Sequence, residues 1–327
     1  MDIITNIHKY LANDIALINN LIIEHLATKE ELVELVGKYL IEAGGKRIRP
    51  ILTILSSKMF DYKGDNNIKL ATAVEFIHAA TLLHDDVVDE SKMRRFKPSA
   101  NVIWGNKTSI LVGDFLFSQS FKLMVAAKSM LSLKSLSKAS AVIAEGEVAQ
   151  LSKLQQRRMI TESEYNEIIM AKTAELFGAS CEVGSIIAKQ SPNICKTMRQ
   201  FGIYLGIIFQ ITDDLFDYYG NDCDIGKNIG DDFLEGKVTI PLILLYNKLP
   251  VIDKLRLEEI IRLESRSKAD FDSIQTLLRQ YNIKEQVMSY LNKAYMQAKE
   301  LLEQINVQNT YKNYLLLLLE FSMIRSC

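Results

Sequence analysis

Two aspartate-rich segments of the chain share the pattern DDxxD. The first runs from Asp85 to Asp89 and the second from Asp213 to Asp217. On a helix, side chains four positions apart project from the same face, so each segment presents two carboxylates together. Carboxylate oxygens suit Mg²⁺ and Ca²⁺, and Mg²⁺ completes its shell with water and phosphate oxygens. The two segments therefore predict a cation site for a phosphorylated ligand.

The residues before these segments strengthen that interpretation. A lone DDxxD is usually an exposed acidic helix end, but here FIHAATLLH precedes the first segment and FGIYLGIIFQIT precedes the second. Carboxylates next to such apolar stretches need cations or hydrogen-bond donors. An EF-hand is disfavoured, because neither segment has the alternating ligands, central Gly and terminal Glu of that calcium loop.

Short basic motifs accompany the aspartates. Arg offers a fork of donors to phosphate oxygens, Lys offers a compact charge, and Gly lets the backbone approach closely. Each motif alone is weak evidence, because a basic pair after a helix is commonly a solvated loop. Together they suit a diphosphate, and they are GGKRIRP at residues 44–50, Arg94-Arg95, Lys172-Thr173, Lys227 and Lys237.

The composition and periodicity indicate long helices. The 327-residue chain is 48% hydrophobic and has only 15 glycines and 5 prolines, so few residues break helices. Apolar residues recur every three or four positions, which predicts about a dozen helices, and alternating strand patterns are scarce. Helix ends are predicted at 44–45, 61–67, 91–107, 191–192, 220–236 and 249–250. Since no linker or repeat divides the chain, we predict one all-α domain over residues 1–327, a helical bundle around a central cavity.

Charge and cysteine content exclude several classes of protein. The 39 basic and 40 acidic residues give a formal net charge of -1, so no overall positive field favours nucleic acid. The four cysteines include no CxxC pair, which disfavours a disulfide framework and a thiolate zinc site. No uncharged apolar run approaches the roughly 20 residues of a membrane span, and the first residues lack the pattern of a signal peptide. We expect a cytoplasmic protein without an integral membrane segment.

In these motifs the sequence resembles the trans-isoprenyl diphosphate synthases, also called polyprenyl synthetases. The motifs that occur in the family's order are GGKRIRP, HAATLLHDDVVDESKMRR, GEVAQL at 146–151, Lys172-Thr173, FQITDDLFD, GKNIGDD and EGK. The resemblance implies an all-α fold around a deep central cavity, with the two aspartate segments facing each other at its mouth. It also implies that the protein is a homodimer, as is usual in the family.

The resemblance further implies a role for each motif residue in joining isopentenyl diphosphate to an allylic diphosphate. Asp85, Asp89 and Asp213 would bind Mg²⁺, usually three ions, and Asp86, Asp214 and Asp217 would be ligands or would support them. Arg94, Lys172, Lys227 and Lys237 would hold the allylic diphosphate, and Lys46, Arg49, His78 and Arg95 would hold isopentenyl diphosphate. Thr173 and Gln210 would complete the catalytic set with Lys172, beside the allylic cation, and the released diphosphate would take the proton.

Small residues before the first aspartate segment favour a long product. Ala80 and Thr81 lie about one helical turn before Asp85, where bulky aromatic residues in this family resemble a plug that stops chain growth. Phe121 and Met124 could form a deeper floor, although core packing explains them equally well. The resemblance implies an all-trans product of octaprenyl class, extended from farnesyl diphosphate, of the kind used for quinone side chains.

Several positions depart from the family pattern, and other functions remain open. Phe96 stands where Gly is usual, Val238 where Pro is frequent, and the C-terminus is altered, but none of these removes a ligand. The alternatives are a shorter-chain farnesyl or geranylgeranyl synthase, a non-catalytic subunit of a heteromeric synthase, and a terpene cyclase. Two intact aspartate segments argue against the subunit, and the motif assigned to isopentenyl diphosphate argues against the cyclase. Motif spacing argues against a squalene-type condensing enzyme.

Overall fold

The computed structural model describes residues 3–42, 45–94, 97–220 and 229–324. The predicted site residues Arg95 and Lys227 lie outside these ranges, as do Phe96 and the C-terminal tail. The first helices are α1 Ile3–Tyr10, α2 Ala12–Leu26, α3 Glu31–Glu42, α4 Ile48–Lys58, α5 Asn66–Val88, α6 Ala100–Trp104, α7 Asn106–Ala126, α8 Met130–Gln155 and α9 Glu162–Ile169. A π-helical turn at Met170–Ala174, called the π-turn below, joins α9 to the helices that follow. These are α10 Glu175–Ile187, α11 Pro192–Tyr219, α12 Asp231–Leu234, α13 Ile240–Lys248, α14 Val251–Arg262, α15 Lys268–Gln280, α16 Ile283–Glu303 and α17 Thr310–Ile324.

The all-α prediction is confirmed. Within the described residues the only strands are β1 Met93–Arg94 and β2 Lys97–Pro98, which pair antiparallel after α5. The described chain contains more helices than the dozen predicted. Part of the difference comes from short helices, α6 and α12, inside two segments that the Gly and Pro signals mark only as breaks.

The observed helix ends agree with the predicted ones where Gly or Pro marks the end, and they differ where neither residue is present. At the helix break predicted at 191–192, Ser191 caps α11 with its side chain and Pro192 occupies the first turn. Other helices end through non-glycine residues in the left-handed region, at Lys128, Arg157 and Asn282, with φ of 51°, 45° and 50°. Because such ends usually carry Gly and sometimes Asn, the sequence offered no signal at Lys128 and Arg157 and only a weak one at Asn282.

The centre of the fold is α10, which packs against α4, α5, α8 and α11. Ten of its 13 residues are buried, so the helix is covered on all sides. On its flanks, α5 packs against α7, and α11 packs against α16 and α17. The buried apolar residues of the described chain form one connected cluster. This arrangement fixes the ends of α5 and α11, which carry the two aspartate segments.

Two glycines allow α10 to approach its neighbours closely. A Cβ on Gly184 would lie 2.6 Å from the backbone oxygen of Thr53 in α4. A Cβ on Gly202 of α11 would lie 2.5 Å from the backbone oxygen of Phe177. Both distances are far below van der Waals contact, so these crossings require glycine.

Helix α7 has the length and composition of a membrane-spanning helix, and within the described ranges it is the only one that does. In its most apolar stretch 44% of the residues are buried in the fold, and the helix packs along α5. Core helices of soluble proteins have the same properties, so this similarity is weak evidence for a membrane segment.

The close crossing of α10 and α11 leads to a stability prediction. We expect Gly202→Ala to destabilise the fold by about 1–3 kcal/mol, because its Cβ would press on backbone that has no room to move. The thermal midpoint, measured by circular dichroism, should fall by several degrees. Gly37→Ala in α3 is the matched control, since its Cβ would meet the flexible end of Leu26 and alanine favours a helix. Equal midpoints for the two variants would contradict this account of the crossing.

Candidate active site

Both aspartate segments open into one cavity with a volume of about 680 Å³. Asp85 and Asp89 line it from the end of α5, and Asp213 and Asp214 line it from α11. Further lining residues come from α4, α8, the π-turn, α10 and residues 232–239. The structure therefore brings together motifs that lie far apart in the sequence.

The first aspartate segment lies at the C-terminal end of α5. The backbone N–H of Asp89 donates to the carbonyl oxygen of Asp85 over 2.8 Å, so the i, i+4 relation predicted for this pair is present. Lys172 Nζ lies 3.7 Å from Asp85 Oδ2, and Lys237 Nζ lies 3.0 Å from Asp89 Oδ2. Burial, together with the charge of Asp89, raises the pKa of Asp85 despite Lys172. At Asp85 the effect of burial thus outweighs that of the nearby cations.

Asp86 has a different environment. Its side chain is 1% exposed, and Arg94 donates to it through Nε, at 2.9 Å from both carboxylate oxygens, and through Nη2 at 2.6 Å. It is absent from the cavity lining, whereas Arg94 is part of it. Of the two roles predicted for Asp86, ligand or supporting group, this geometry favours the second.

The aspartates of the second segment also differ in their environments. Asp213 lines the cavity, while Asp217 is buried and does not. Asp214 is 2% exposed and accepts from Tyr165 Oη at 2.5 Å and from Gln210 Nε2 at 2.8 Å. Burial, together with the charge of Asp232, raises the pKa of Asp214 to about 7.

A basic wall is formed by Lys46, Arg49 and His78, the described residues predicted to hold isopentenyl diphosphate. Arg49 Nη1 lies 3.1 Å from His78 Nε2, and since a guanidinium only donates, this nitrogen of His78 is the acceptor. Arg49 also stacks over the ring of Phe177, 4.5 Å from its centroid. The neighbouring cavity residue Arg47 pairs with buried Glu75.

Lys172 projects into the cavity from the π-turn. A π-turn inserts an extra residue into a helix and is frequent at functional sites. Two glycines make room for it, since a Cβ on Gly146 would lie 2.7 Å from Ala171 Cβ and one on Gly206 would lie 2.6 Å from Ala174 Cα. Lys172 Nζ donates to Glu147 Oε2 at 2.7 Å. Burial, with the charge of Asp85, raises the pKa of Glu147 to about 7.

Lys237 lies between the first aspartate segment and residues 232–235, which follow the second aspartate segment in the sequence. Besides Asp89, its Nζ contacts Glu235 at 2.8 Å and Asp232 at 3.7 Å. These carboxylates raise the pKa of Lys237 and keep it charged. Lys172, Lys237 and Arg94 therefore place three cations around Asp85 and Asp89.

The predicted catalytic pair Thr173 and Gln210 is in contact. Thr173 Oγ1 donates to Gln210 Oε1 at 2.7 Å, and both residues line the cavity. The contact joins the π-turn to α11. It places two uncharged oxygen atoms next to the charged groups described above.

The residues predicted to limit product length are only partly at the cavity. Thr81 lines it, together with its neighbour Leu82. Ala80 and Met124 are buried outside the lining, and Phe121 is 38% exposed and packs edge-on against Phe117. The roles of these residues in product length stay predictions.

Comparison with known proteins identifies the family. A family model described as polyprenyl synthetase matches residues 30–278. The chain belongs to the polyprenyl synthetase family. The octaprenyl diphosphate synthase of Escherichia coli (strain K12) is 44% identical over 237 residues, 72% of this chain and 73% of that protein.

Solved structures of polyprenyl synthetases share the fold. A polyprenyl synthase from Caulobacter crescentus CB15, crystallised in complex with calcium and isoprenyl diphosphate, is 38% identical with a TM-score of 0.94, covering 99% of this chain and 98% of that one. A decaprenyl diphosphate synthase from Rhodobacter capsulatus is 39% identical with a TM-score of 0.93, covering 99% of both chains. The predictions of the family, of a prenyltransferase and of its all-α fold are confirmed.

The donor set of this polyprenyl synthetase suits a hard divalent cation. Asp85, Asp89 and Asp213 offer only carboxylate oxygens, and Mg²⁺ takes one or two of these with water and substrate phosphate. In the described part of the chain, no three Asp, Glu, His or Cys side chains lie together in a group that could hold a metal ion, so water and phosphate oxygens would have to supply the remaining ligands. Both segments lie near helix C-termini, where the helix dipole disfavours negative charge. A bound cation would offset that cost.

Sequence reasoning assigned no role to three acidic or phenolic residues of the site. Glu147 lies in the GEVAQL motif and Asp232 in GKNIGDD, so the motifs were recognised but these side chains were not. Tyr165 precedes Lys172 by seven positions, which is one face of a regular helix, but the π-turn interrupts that period before Lys172. The sequence therefore offers no usable signal for Tyr165.

The different environments of Asp85 and Asp86 lead to a prediction. We expect Asp85→Asn to reduce activity strongly without lowering the thermal midpoint, because the buried Asp85 carboxylate is already costly in the folded state. Asp86→Asn should lower the midpoint, because Arg94 would lose its carboxylate partner at a cost of about 1–3 kcal/mol. Both variants are compared by thermal melting at pH 7.5. If Asp85→Asn lowers the thermal midpoint more than Asp86→Asn does, then the roles assigned to these two carboxylates are wrong.

Proposed function

We propose that the chain is a trans-polyprenyl diphosphate synthase, which adds isopentenyl diphosphate repeatedly to an allylic diphosphate. The observation that carries the proposal is that both aspartate segments and two separate sets of cations line one cavity. A terpene cyclase has a single diphosphate substrate and needs only one such set. The second set therefore favours chain elongation.

The allylic diphosphate would bind between the aspartate segments. Lys172, Lys237 and Arg94 would hold its phosphate oxygens, and each now pairs with a carboxylate within 3.7 Å. Lys227 would join them from outside the described residues. Because the lysines already lie beside Asp85 and Asp89, they need only move a short way to meet a phosphate.

Isopentenyl diphosphate would bind at the basic wall. Arg49 is held there by its contacts with His78 and Phe177, so its guanidinium is preorganised for a bidentate contact with phosphate. Lys46 lies at the same wall, 4.6 Å from the ring centroid of Phe321. Arg95, from outside the described residues, would complete this set.

The chemistry uses the charges on both sides of the cavity. The bond between the allylic carbon and the diphosphate oxygen breaks, and the diphosphate leaves with the electron pair. The double bond of isopentenyl diphosphate attacks the resulting cation and forms the new carbon–carbon bond. Loss of a proton to the released diphosphate restores a double bond, which makes the product a longer allylic diphosphate. Lys172, Lys237 and Arg94 stabilise the leaving charge, while the oxygen atoms of Thr173 and Gln210 face the cation.

Divalent metal completes the proposed site. Mg²⁺, of which we propose three ions as is usual in the family, would supply charge stabilisation for the departing diphosphate. Asp85, Asp89 and Asp213 would hold it, with Asp86, Asp214 and Asp217 behind them. The complex of the Caulobacter crescentus enzyme with calcium and isoprenyl diphosphate supports a cation of this type.

The product is proposed to be a long all-trans chain of octaprenyl class, extended from farnesyl diphosphate for a quinone side chain. The support is the similarity to an octaprenyl and a decaprenyl diphosphate synthase, together with the small side chain of Thr81 at the cavity wall. A shorter farnesyl or geranylgeranyl product is the alternative. It would need a bulky side chain close to Asp85.

The central test is an elongation assay on the purified chain. Incubation with isopentenyl diphosphate, farnesyl diphosphate and Mg²⁺ should give a ladder of products ending at one long prenol, resolved by mass after dephosphorylation, and EDTA should abolish it. The Asp85→Ala, Asp89→Ala double variant should lose at least about a hundredfold in turnover, with its helical circular dichroism intact.

Asp272→Ala is the matched control for that double variant, because Asp272 of α15 is exposed and outside the cavity lining. It should keep wild-type turnover. If the wild-type chain binds both substrates but forms no product, the proposal is wrong, and the chain is a partner-dependent subunit instead.

Thr81 offers a test of the proposed product length. Thr81→Phe would place a ring in the cavity wall about one helical turn below Asp85, so we expect a product shorter by several isoprene units at similar consumption of farnesyl diphosphate. Ala80→Phe, at the adjacent buried position, is the comparison. If Thr81→Phe leaves the longest prenol unchanged, the growing chain does not pass Thr81.

The proposed assembly is a homodimer formed through α7 and the start of α8. Ile110, Leu111, Phe121 and Val125 are exposed on α7 and lie within about 100° of one another around its axis. Met130 and Leu131 of α8, 75% and 66% exposed, adjoin them in sequence. An exposed apolar surface of this kind commonly marks a protein interface.

Light scattering after size exclusion can test the dimer. We expect a dimer for the wild-type chain and a monomer for the Leu111→Glu, Val125→Glu variant, because charges would be buried in the interface. Leu255→Glu on α14, where Leu255 is 55% exposed, should stay dimeric. A wild-type monomer would refute the homodimer.

We place the enzyme in the cytoplasm. Cys181 and Cys195 are buried free thiols, and burial raises the pKa of Cys181 to about 12. Unpaired cysteines are usual in a reducing compartment, where disulfides are rare.

A further inference from the structure

We propose that Tyr165 is a positioning residue that sets the orientation of the Gln210 side-chain amide through Asp214. The inference rests on the proposed function, in which Gln210 lies beside the allylic cation. Tyr165 itself belongs to none of the motifs that carry the family resemblance. What assigns it a role is a chain of hydrogen bonds from α9 through α11 to the π-turn.

Four residues make up this chain of hydrogen bonds. Tyr165 Oη donates to Asp214 Oδ2 at 2.5 Å, and Gln210 Nε2 donates to Asp214 Oδ1 at 2.8 Å. Thr173 Oγ1 then donates to Gln210 Oε1 at 2.7 Å. All four residues line the cavity, and Tyr165 and Asp214 are only 3% and 2% exposed. Water therefore cannot readily replace the contact between these two.

The hydrogen bonds to Asp214 set the orientation of the Gln210 amide. Asp214 accepts from Tyr165 on Oδ2 and from Gln210 on Oδ1, so the NH₂ group of Gln210 faces Asp214. The amide oxygen then faces Thr173, whose hydroxyl donates to it. The remaining lone pairs of Gln210 Oε1 and Thr173 Oγ1 are available to the cavity. In the opposite orientation the amide would present N–H groups to a developing cation.

Tyr165 has a role because one hydrogen bond, from Gln210, does not fix the rotation of the Asp214 carboxyl group. Gln210 contacts only Oδ1, so the hydroxyl of Tyr165 holds Oδ2 and prevents the carboxyl group from rotating about its bond. Tyr165 and Thr173 lie on one continuous helical segment, at either end of the hydrogen-bond chain. The segment thus holds Gln210 from two sides, directly through Thr173 and indirectly through Asp214.

The consequence is a specific effect on the step that forms positive charge. A correctly oriented amide oxygen stabilises the allylic cation more than the bound substrate, which lowers the barrier and leaves substrate affinity nearly unchanged. Loss of the Tyr165 hydroxyl should therefore slow the first condensation, while the KM for farnesyl diphosphate should hardly change.

The test is a single-turnover measurement of the first condensation, with enzyme in excess over farnesyl diphosphate. Single turnover isolates this step from the release of a long product. We expect Tyr165→Phe to slow it about tenfold. Tyr290→Phe is the matched control, because it removes the hydrogen bonds between the Tyr290 hydroxyl and the Asn166 side chain of α9, at 2.8 and 3.1 Å, while Tyr290 lies outside the cavity lining. It should react at the wild-type rate.

A double-mutant cycle separates positioning from a general structural effect. In a Gln210→Met background, Tyr165→Phe should slow the reaction less than about twofold, because no amide is left to orient. The same tenfold loss in both backgrounds would overturn the inference, and so would a wild-type rate for Tyr165→Phe or a change confined to KM. An inactive wild-type chain would instead refute the proposed function, and the inference with it.

Discussion

The crowding of buried carboxylates around one cavity is the constraint on which the site depends. Burial and mutual repulsion raise the pKa values of Asp85, Glu147 and Asp214. Two of the helices that carry these residues end at the site, and their dipoles add to the cost. Buried carboxylates of this kind are stabilised by nearby cations, by hydrogen-bond donors or by protonation. Lys172 and Lys237 lie within 3.7 Å of the first aspartate segment.

The scaffold around the site is correspondingly rigid. α10 is buried on all sides, and its crossings with α4 and α11 bring backbone against backbone at Gly184 and Gly202. The π-turn carries Lys172 and Thr173 between Gly146 and Gly206. Packing of this closeness leaves few alternative positions for the helices, so the charged groups cannot relieve their repulsion by moving apart.

Local patterns made much of this site predictable. In any α-helix the first and fifth residues of a DDxxD segment lie on the same face, so the sequence alone predicts that Asp85 and Asp89 lie together. The buried ion pair of Asp86 and the hydrogen bond of Tyr165 could not, because both depend on how separate elements pack. The π-turn adds a residue to its helix and shifts the faces that follow, so a constant helical period fails there. The same limit applies to the residues predicted to set product length, because spacing from Asp85 does not decide which of their side chains reach the cavity. These residues are Ala80, Thr81, Phe121 and Met124.

The lysine contacts have a consequence for ligand binding. Lys172 and Lys237 each contact carboxylates and, in the proposed function, would also bind a phosphate, so carboxylates and phosphate would compete for them. A cation that binds the carboxylates frees the lysines for an anion, and an anion that draws the lysines away leaves the carboxylates open to a cation. Thermodynamic linkage makes this coupling reciprocal, with the same factor in both directions. The affinity of this cavity for a diphosphate would therefore depend on the cation that is bound with it.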